Sequence, residues 1–151
     1  MKDMWKQYRL GLDGLGLGLF LLVTVPNVLW AVAPPAADPL RLPSVTPRLD
    51  LAASVVQAVF VAALCLLKNR RAAPLHPGLA AGIGGCVLGY FAAWGGYYAG
   101  VQYPVLLLTM CVLPCLALLL YAGARRNYAA LVPGVVFAVF HGIYGICNFL
   151  C

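Results

Sequence analysis

Three polar side chains interrupt the last apolar stretch of this 151-residue chain. In Pro133-Gly-Val-Val-Phe-Ala-Val-Phe-His141-Gly-Ile-Tyr144-Gly-Ile-Cys147-Asn148, the histidine, tyrosine and asparagine stand at i, i+3 and i+7. On a helix that spacing places them in one stripe. A neutral imidazole can donate and accept hydrogen bonds, relay a proton or bind a metal. Tetrahedral metal sites want three or four ligands, and the one other histidine, His76, belongs to a connection expected on the opposite side. The stripe therefore reads as a binding surface and not as a metal centre.

Thiol chemistry is the second candidate. Cys111-Val-Leu-Pro-Cys115 and Cys147…Cys151 are both C-x3-C. Thiol oxidoreductases use C-x-x-C at a helix start, where the thiolate is stabilised. On a continuous helix, cysteines four apart are poorly aimed for a disulfide. Pro114 can distort the helix locally, so a membrane thiol oxidoreductase stands as an alternative function. The remaining cysteines, Cys65 and Cys86, lie in apolar runs, where cysteine behaves as a small hydrophobe. Asp13, an acid inside an apolar run, follows Arg9 by four residues, a spacing that predicts an ion pair. Gly11 to Gly18 lacks the Lys-Ser/Thr of a phosphate-binding loop, and no hydrolase triad is visible. The pattern favours binding over catalysis and specifies no cofactor.

The elements that position these residues are membrane spans. Hydrophobic residues make up 64% of the chain and charged ones 9%, where a soluble domain carries about a quarter charged. The expected architecture is all-α: one membrane domain, a compact bundle of five transmembrane helices at about 10–33, 50–67, 78–98, 105–122 and 128–150. Between the first two lies a loop, 34–49, with prolines at 34, 35, 39, 43 and 47, which excludes a regular helix there. The first span imitates a signal peptide, with basic residues before it and Ala31-Val-Ala33 after. It is too long for an h-region and reads as a retained helix. Before it, Lys2, Lys6 and Arg9 form a basic lead with Trp5 and Tyr8 as interfacial anchors.

Net charge is +6, and its distribution is a topology signal, not a nucleic-acid footprint. Eight of the ten Lys and Arg fall in the lead, at 68–71 and at 125–126; Arg41 and Arg48 lie in the proline-rich loop. Five spans put all three rich clusters on one side, which predicts a cytoplasmic N-terminus and an outside C-terminus.

Glycines recur at helical spacing: Gly14 and Gly18; Gly78, Gly82, Gly85 and Gly89; Gly134 and Gly142 with Ala138. Small residues let membrane helices approach closely. They serve packing within the bundle or, alternatively, a homodimer or a membrane-protein partner.

Depth gives the remaining pattern. Asn27, Trp30, Gln57, Trp94, Tyr97, Thr109, His141, Tyr144 and Asn148 all fall toward the side of the proline-rich loop. Two readings stand. All but Thr109 are assigned to an outer-leaflet pocket for a small apolar or amphipathic ligand, with the loop as lid. Alternatively they are interhelical hydrogen bonds and an aromatic belt.

The segment Trp5-Lys-Gln-Tyr-Arg-Leu-Gly-Leu-Asp13, the Val25-Pro26-Asn27-Val-Leu-Trp30 motif and the Pro34-Pro35 loop resemble a group of small five-span bacterial membrane proteins. That resemblance implies only the architecture; the expected location of the five-span chain is the cell inner (plasma) membrane. Five short spans with aromatics near one surface are also similar, in architecture alone, to the tryptophan-rich sensory (translocator) proteins, which bind porphyrins and sterols. The tryptophan-dense motifs of that family are missing, so no residues carry over. The expected function is binding or transport of a small ligand, with an accessory or scaffold subunit of a larger complex as the alternative.

Overall fold

The computed structural model describes residues 7–150, so the roles expected of Lys2, Trp5, Lys6 and Cys151 lie outside the described residues. Five helices dominate: α1 Gly14–Val32, α2 Pro47–Leu66, α3 Pro77–Tyr98, α4 Pro104–Ala124 and α5 Tyr128–Phe149. Each is long and apolar enough to cross a membrane, with mean hydropathy between 1.3 and 2.5. Local chemistry sets their ends. Proline opens α2, α3 and α4, where its missing N–H is no loss. Side chains of Asp13, His76 and Asn127 cap α1, α3 and α5. Gly100, at φ +88°, supplies the left-handed residue of the turn from α3 to α4.

The helices are not equivalent. α5 packs along both α2 and α4, and α4 packs along α3. α1 lies more loosely against α2, α3 and α4. Accordingly 44% of the apolar window of α4 is buried but only 17% of that of α1, which makes α4 the central helix and α1 the peripheral one. Large apolar side chains such as Leu15, Val28, Val55, Leu88, Val105 and Val132 point outward.

Glycine decides the closest approaches. A Cβ on Gly134 would stand 2.8 Å from both Leu119 and Phe60, so α5 comes nearest to α2 and α4 there. Gly89 meets Leu113, Gly96 meets Leu106, and Gly145 meets Leu108 and Cys111. Gly16 abuts Tyr121 and the Leu64 carbonyl. Gly14, Gly18, Gly82, Gly85 and Gly142 face open space instead. Of the glycines that spacing groups by helix face, only Gly89 and Gly134 make such contacts, while Gly16, Gly96 and Gly145 lie outside those groups.

One end of the bundle is closed by an antiparallel ribbon. β1, Tyr8–Leu10, pairs with β2, Leu67–Asn69, in the register Tyr8↔Asn69, Arg9↔Lys68 and Leu10↔Leu67. Arg9 therefore lies in a strand, and the ion pair expected with Asp13 does not form. Asp13 is buried, caps the Gly16 N–H at 3.3 Å and accepts the Tyr121 hydroxyl at 2.9 Å. Beside it Asn127 is 3% exposed and donates to the carbonyls of Ala63 and Leu67, at 3.0 and 2.8 Å. These bonds satisfy buried polar groups that would otherwise carry a desolvation cost. A second correction concerns the loop expected over 34–49: α2 begins at Pro47, three residues before the expected start at 50.

Gly134→Ala forces a methyl against the fixed ring of Phe60 and is expected to cost about 1–3 kcal/mol. Gly142→Ala, which meets nothing, is expected to be neutral or to stabilise by up to about 1 kcal/mol. Reversible unfolding of both variants in detergent measures the difference.

Candidate functional site

The eight residues assigned to the pocket separate into two groups at the loop end of the bundle. One group is organised by a residue that sequence reasoning missed. Asp38 sits in the proline-rich loop, just ahead of a single 3-10 turn at Pro39–Arg41. Its carboxylate accepts the Tyr97 hydroxyl at 2.5 Å and the Trp30 indole N–H at 2.9 Å. Arg41 completes the set with an ion pair at 3.1 Å and lies over the Trp30 ring, 5.4 Å from its centroid. Gln102 donates to the Ala37 carbonyl and the Tyr98 hydroxyl to that of Ala33. The loop is thus tied to α1, to the end of α3 and to the α3–α4 turn.

Asn27 belongs to the same side. Its amide donates to the Tyr90 hydroxyl at 2.8 Å and to the Val23 carbonyl at 3.2 Å. Trp94 is 5% exposed and stands edge-on to Tyr90 and Tyr97, with centroids 6.4 and 5.6 Å away. Its indole N–H has no hydrogen-bond partner among the described residues. In this group Asn27, Trp30 and Tyr97 commit their polar atoms to joining elements. Thr109 is likewise committed, donating to the Val105 carbonyl at 2.7 Å.

The second group faces a cavity. Between α2 and α5 lies a space of about 300 Å³ lined by Asp50, Ser54, Gln57, Phe137, His141 and Tyr144, with Ala53 at its wall. The His141 ring stacks on Phe137 at 5.1 Å and on Tyr144 at 5.7 Å, so the stripe is a ladder of near-parallel rings. Among the described residues the Gln57 amide, the His141 ring nitrogens and the Tyr144 hydroxyl make no side-chain hydrogen bond. Asp50 accepts at one oxygen only, from Thr46 at 2.9 Å.

Asn148 does not line this cavity. Its oxygen accepts the Val45 N–H at 2.9 Å, and its amide donates to Thr46 at 3.1 Å and to the Tyr144 carbonyl at 2.9 Å. It fastens the loop to the end of α5, above the cavity. Asn148, Thr46 and Asp50 form a short chain from that fastening to the cavity wall.

A second, apolar groove adjoins the cavity. It holds about 590 Å³ between α1 and α2 and is lined by Leu12, Leu17, Phe20, Val61 and Leu66 among others. Ser54 and Gln57 line both spaces, so the cavity beside His141, with its few polar side chains, and the apolar groove meet at these two residues.

Of the described cysteines, Cys65 lines the apolar groove and none lines the cavity beside His141. Cys65, Cys86, Cys111, Cys115 and Cys147 are free thiols, and Cys111 and Cys115 are buried in α4. No cluster of three or more His, Cys, Asp or Glu suited to a metal occurs among the described residues.

Asp38→Ala removes the acceptor shared by Trp30, Tyr97 and Arg41. Losing bonds to a charged acceptor, each worth about 1.5–3 kcal/mol, is expected to speed amide hydrogen exchange across 38–46 by at least about tenfold. Exchange in α4 is expected to change little. Comparison of the chain with known proteins leaves the site to be read from its own geometry, since no protein-family model, curated protein or solved structure matches it.

Proposed function

We propose that the chain spans a membrane five times, ribbon end cytoplasmic, and binds a small amphipathic molecule between α1, α2 and α5. The observation that carries this reading is the contrast in hydrogen bonding. Asn27, Trp30, Tyr97 and Asn148 spend their polar atoms on holding the fold together. Gln57, His141 and Tyr144 converge on one cavity and do not. Polar groups in an apolar setting are costly when unpaired, and a ligand head group that pairs with them recovers that cost.

The chemistry of the lining defines the ligand class. Asp50 and the Gln57 carbonyl accept hydrogen bonds, as does Ser54, whose own proton goes to the Asp50 carbonyl at 2.8 Å, while His141 and Tyr144 can do either. A hydroxyl- or amine-bearing head therefore fits the chamber better than a carboxylate, which Asp50 repels. The adjoining groove, walled by Leu12, Leu17 and Phe20, suits an alkyl or isoprenoid tail. α1 is the least buried helix, so a tail can enter past it from the bilayer. The proline-rich loop is fastened near the Asp50 end of the cavity, where Asn148 bonds Val45 and Thr46 and Thr46 bonds Asp50.

Native mass spectrometry of gently extracted protein tests this directly. The wild-type chain is expected to carry a co-purifying amphiphile. Ser54→Trp fills the junction between chamber and groove, and is expected to reduce occupancy by at least about tenfold, a change of about 1.4 kcal/mol. His141→Ala is expected to weaken retention without changing the unfolding free energy by more than about 1 kcal/mol. Equal occupancy in wild type and Ser54→Trp would contradict the assignment.

A further inference from the structure

A separate cavity of about 520 Å³ lies at the ribbon end, lined by Arg9, Lys68, Asn69, Arg70, Ala72 and Arg125. Four cationic side chains from four places in the chain meet there: β1, β2, the residue after β2 and the residue that ends α4. Among the described residues none of the four is in an ion pair. Among the described residues, Asp13 shares with Lys68 and Arg125 a pit of about 10 Å³. Its carboxylate already accepts from Gly16 and Tyr121.

Two features make this more than a cluster of solvated charges. Arg9 and Lys68 are direct cross-strand partners in the ribbon. Like charges directly opposite destabilise an antiparallel pair, so the ladder holds two cations together at its own cost. In addition, Arg125 is anchored through Nη1 to the Ala73 carbonyl at 2.7 Å, while its Nε is buried and has no hydrogen-bond partner among the described residues. A guanidinium held in place with an unmet donor is prepared for an oxyanion.

The geometry points to a binding site for a phosphate-bearing anion in the cavity bounded by Arg9, Lys68, Arg70 and Arg125. An anion there relieves the Arg9–Lys68 repulsion and gives Arg125 an acceptor. The phosphate can come from two sources: the head group of an acidic lipid in the adjacent leaflet, or a soluble phosphate compound. The site is at the opposite end of the bundle from the amphiphile cavity, and neither assignment depends on the other.

The test uses the full chain in a neutral detergent, with two probes. Native mass spectrometry compares retention of phosphatidylglycerol with that of phosphatidylcholine, and thermal unfolding is followed with added inorganic pyrophosphate. Preferential retention of phosphatidylglycerol assigns the site to a lipid head group. A pyrophosphate-dependent rise in the midpoint assigns it to soluble phosphate. Either response must fall by about fivefold for each charge removed in Lys68→Gln and Arg70→Gln. Arg70 lies beyond the ladder, so Arg70→Gln keeps the test valid should the ribbon variant fold poorly. Arg48→Gln, at the loop end, is expected to bind as wild type. Equal retention of the two lipids with no pyrophosphate shift would overturn the site, as would binding that survives both substitutions.

Discussion

Gly134 is the point at which α5 can approach Phe60 of α2, and the rest of the candidate site depends on that approach. His141 lies about two helical turns beyond Gly134, and Gln57, Ala53 and Asp50 follow successive turns of α2 away from Phe60. Phe137 bridges the two stretches, 6.4 Å from Phe60 and stacked on His141. Contact at one level therefore sets the separation at the next. A larger residue at 134 would move the ring ladder relative to the carboxylate and amide that face it.

The two ends of the bundle solve the same problem differently. An apolar chain must account for every polar group it encloses. At the ribbon end Asp13 and Asn127 satisfy helix ends and neighbouring carbonyls, while the basic residues gather in a cavity of their own. At the loop end Asp38 and Asn148 act as fasteners for a segment that has almost no regular structure. Between these fasteners the cavity beside His141 retains hydrogen-bonding capacity. On the proposed reading this contrast sets Gln57, His141 and Tyr144 apart from Asn27, Trp30, Tyr97 and Asn148; Trp94, whose buried indole N–H has no partner among the described residues, lies outside it.

Much of this architecture was legible from residues alone. Five apolar runs bounded by proline, glycine and basic clusters locate the five helices to within about four residues at each end. The ring stripe His141–Tyr144 followed from helical spacing. The ribbon did not, because three-residue strands containing Arg9 and Lys68 have no apolar alternation to reveal them. Asp38 was hidden by its setting, since proline content marks a loop without showing which of its residues fasten it. Depth along a helix placed Asn27 and Gln57 in the same layer but could not distinguish the interfaces they face. Asn27 meets Tyr90 of α3, and Gln57 faces the cavity and groove around α2. Glycine periodicity similarly identified small faces, whereas contact depends on which face a neighbouring helix covers.

The central claim is that the uncommitted polar atoms around His141 receive the head of an amphiphile. A high-resolution density map of protein extracted with its native lipids tests it most directly. The account predicts an elongated feature with its polar end among Asp50, Gln57, His141 and Tyr144 and its apolar end beside Leu17 and Phe20. A chamber occupied by water alone, with Gln57, His141 and Tyr144 hydrogen-bonded to one another, would contradict it.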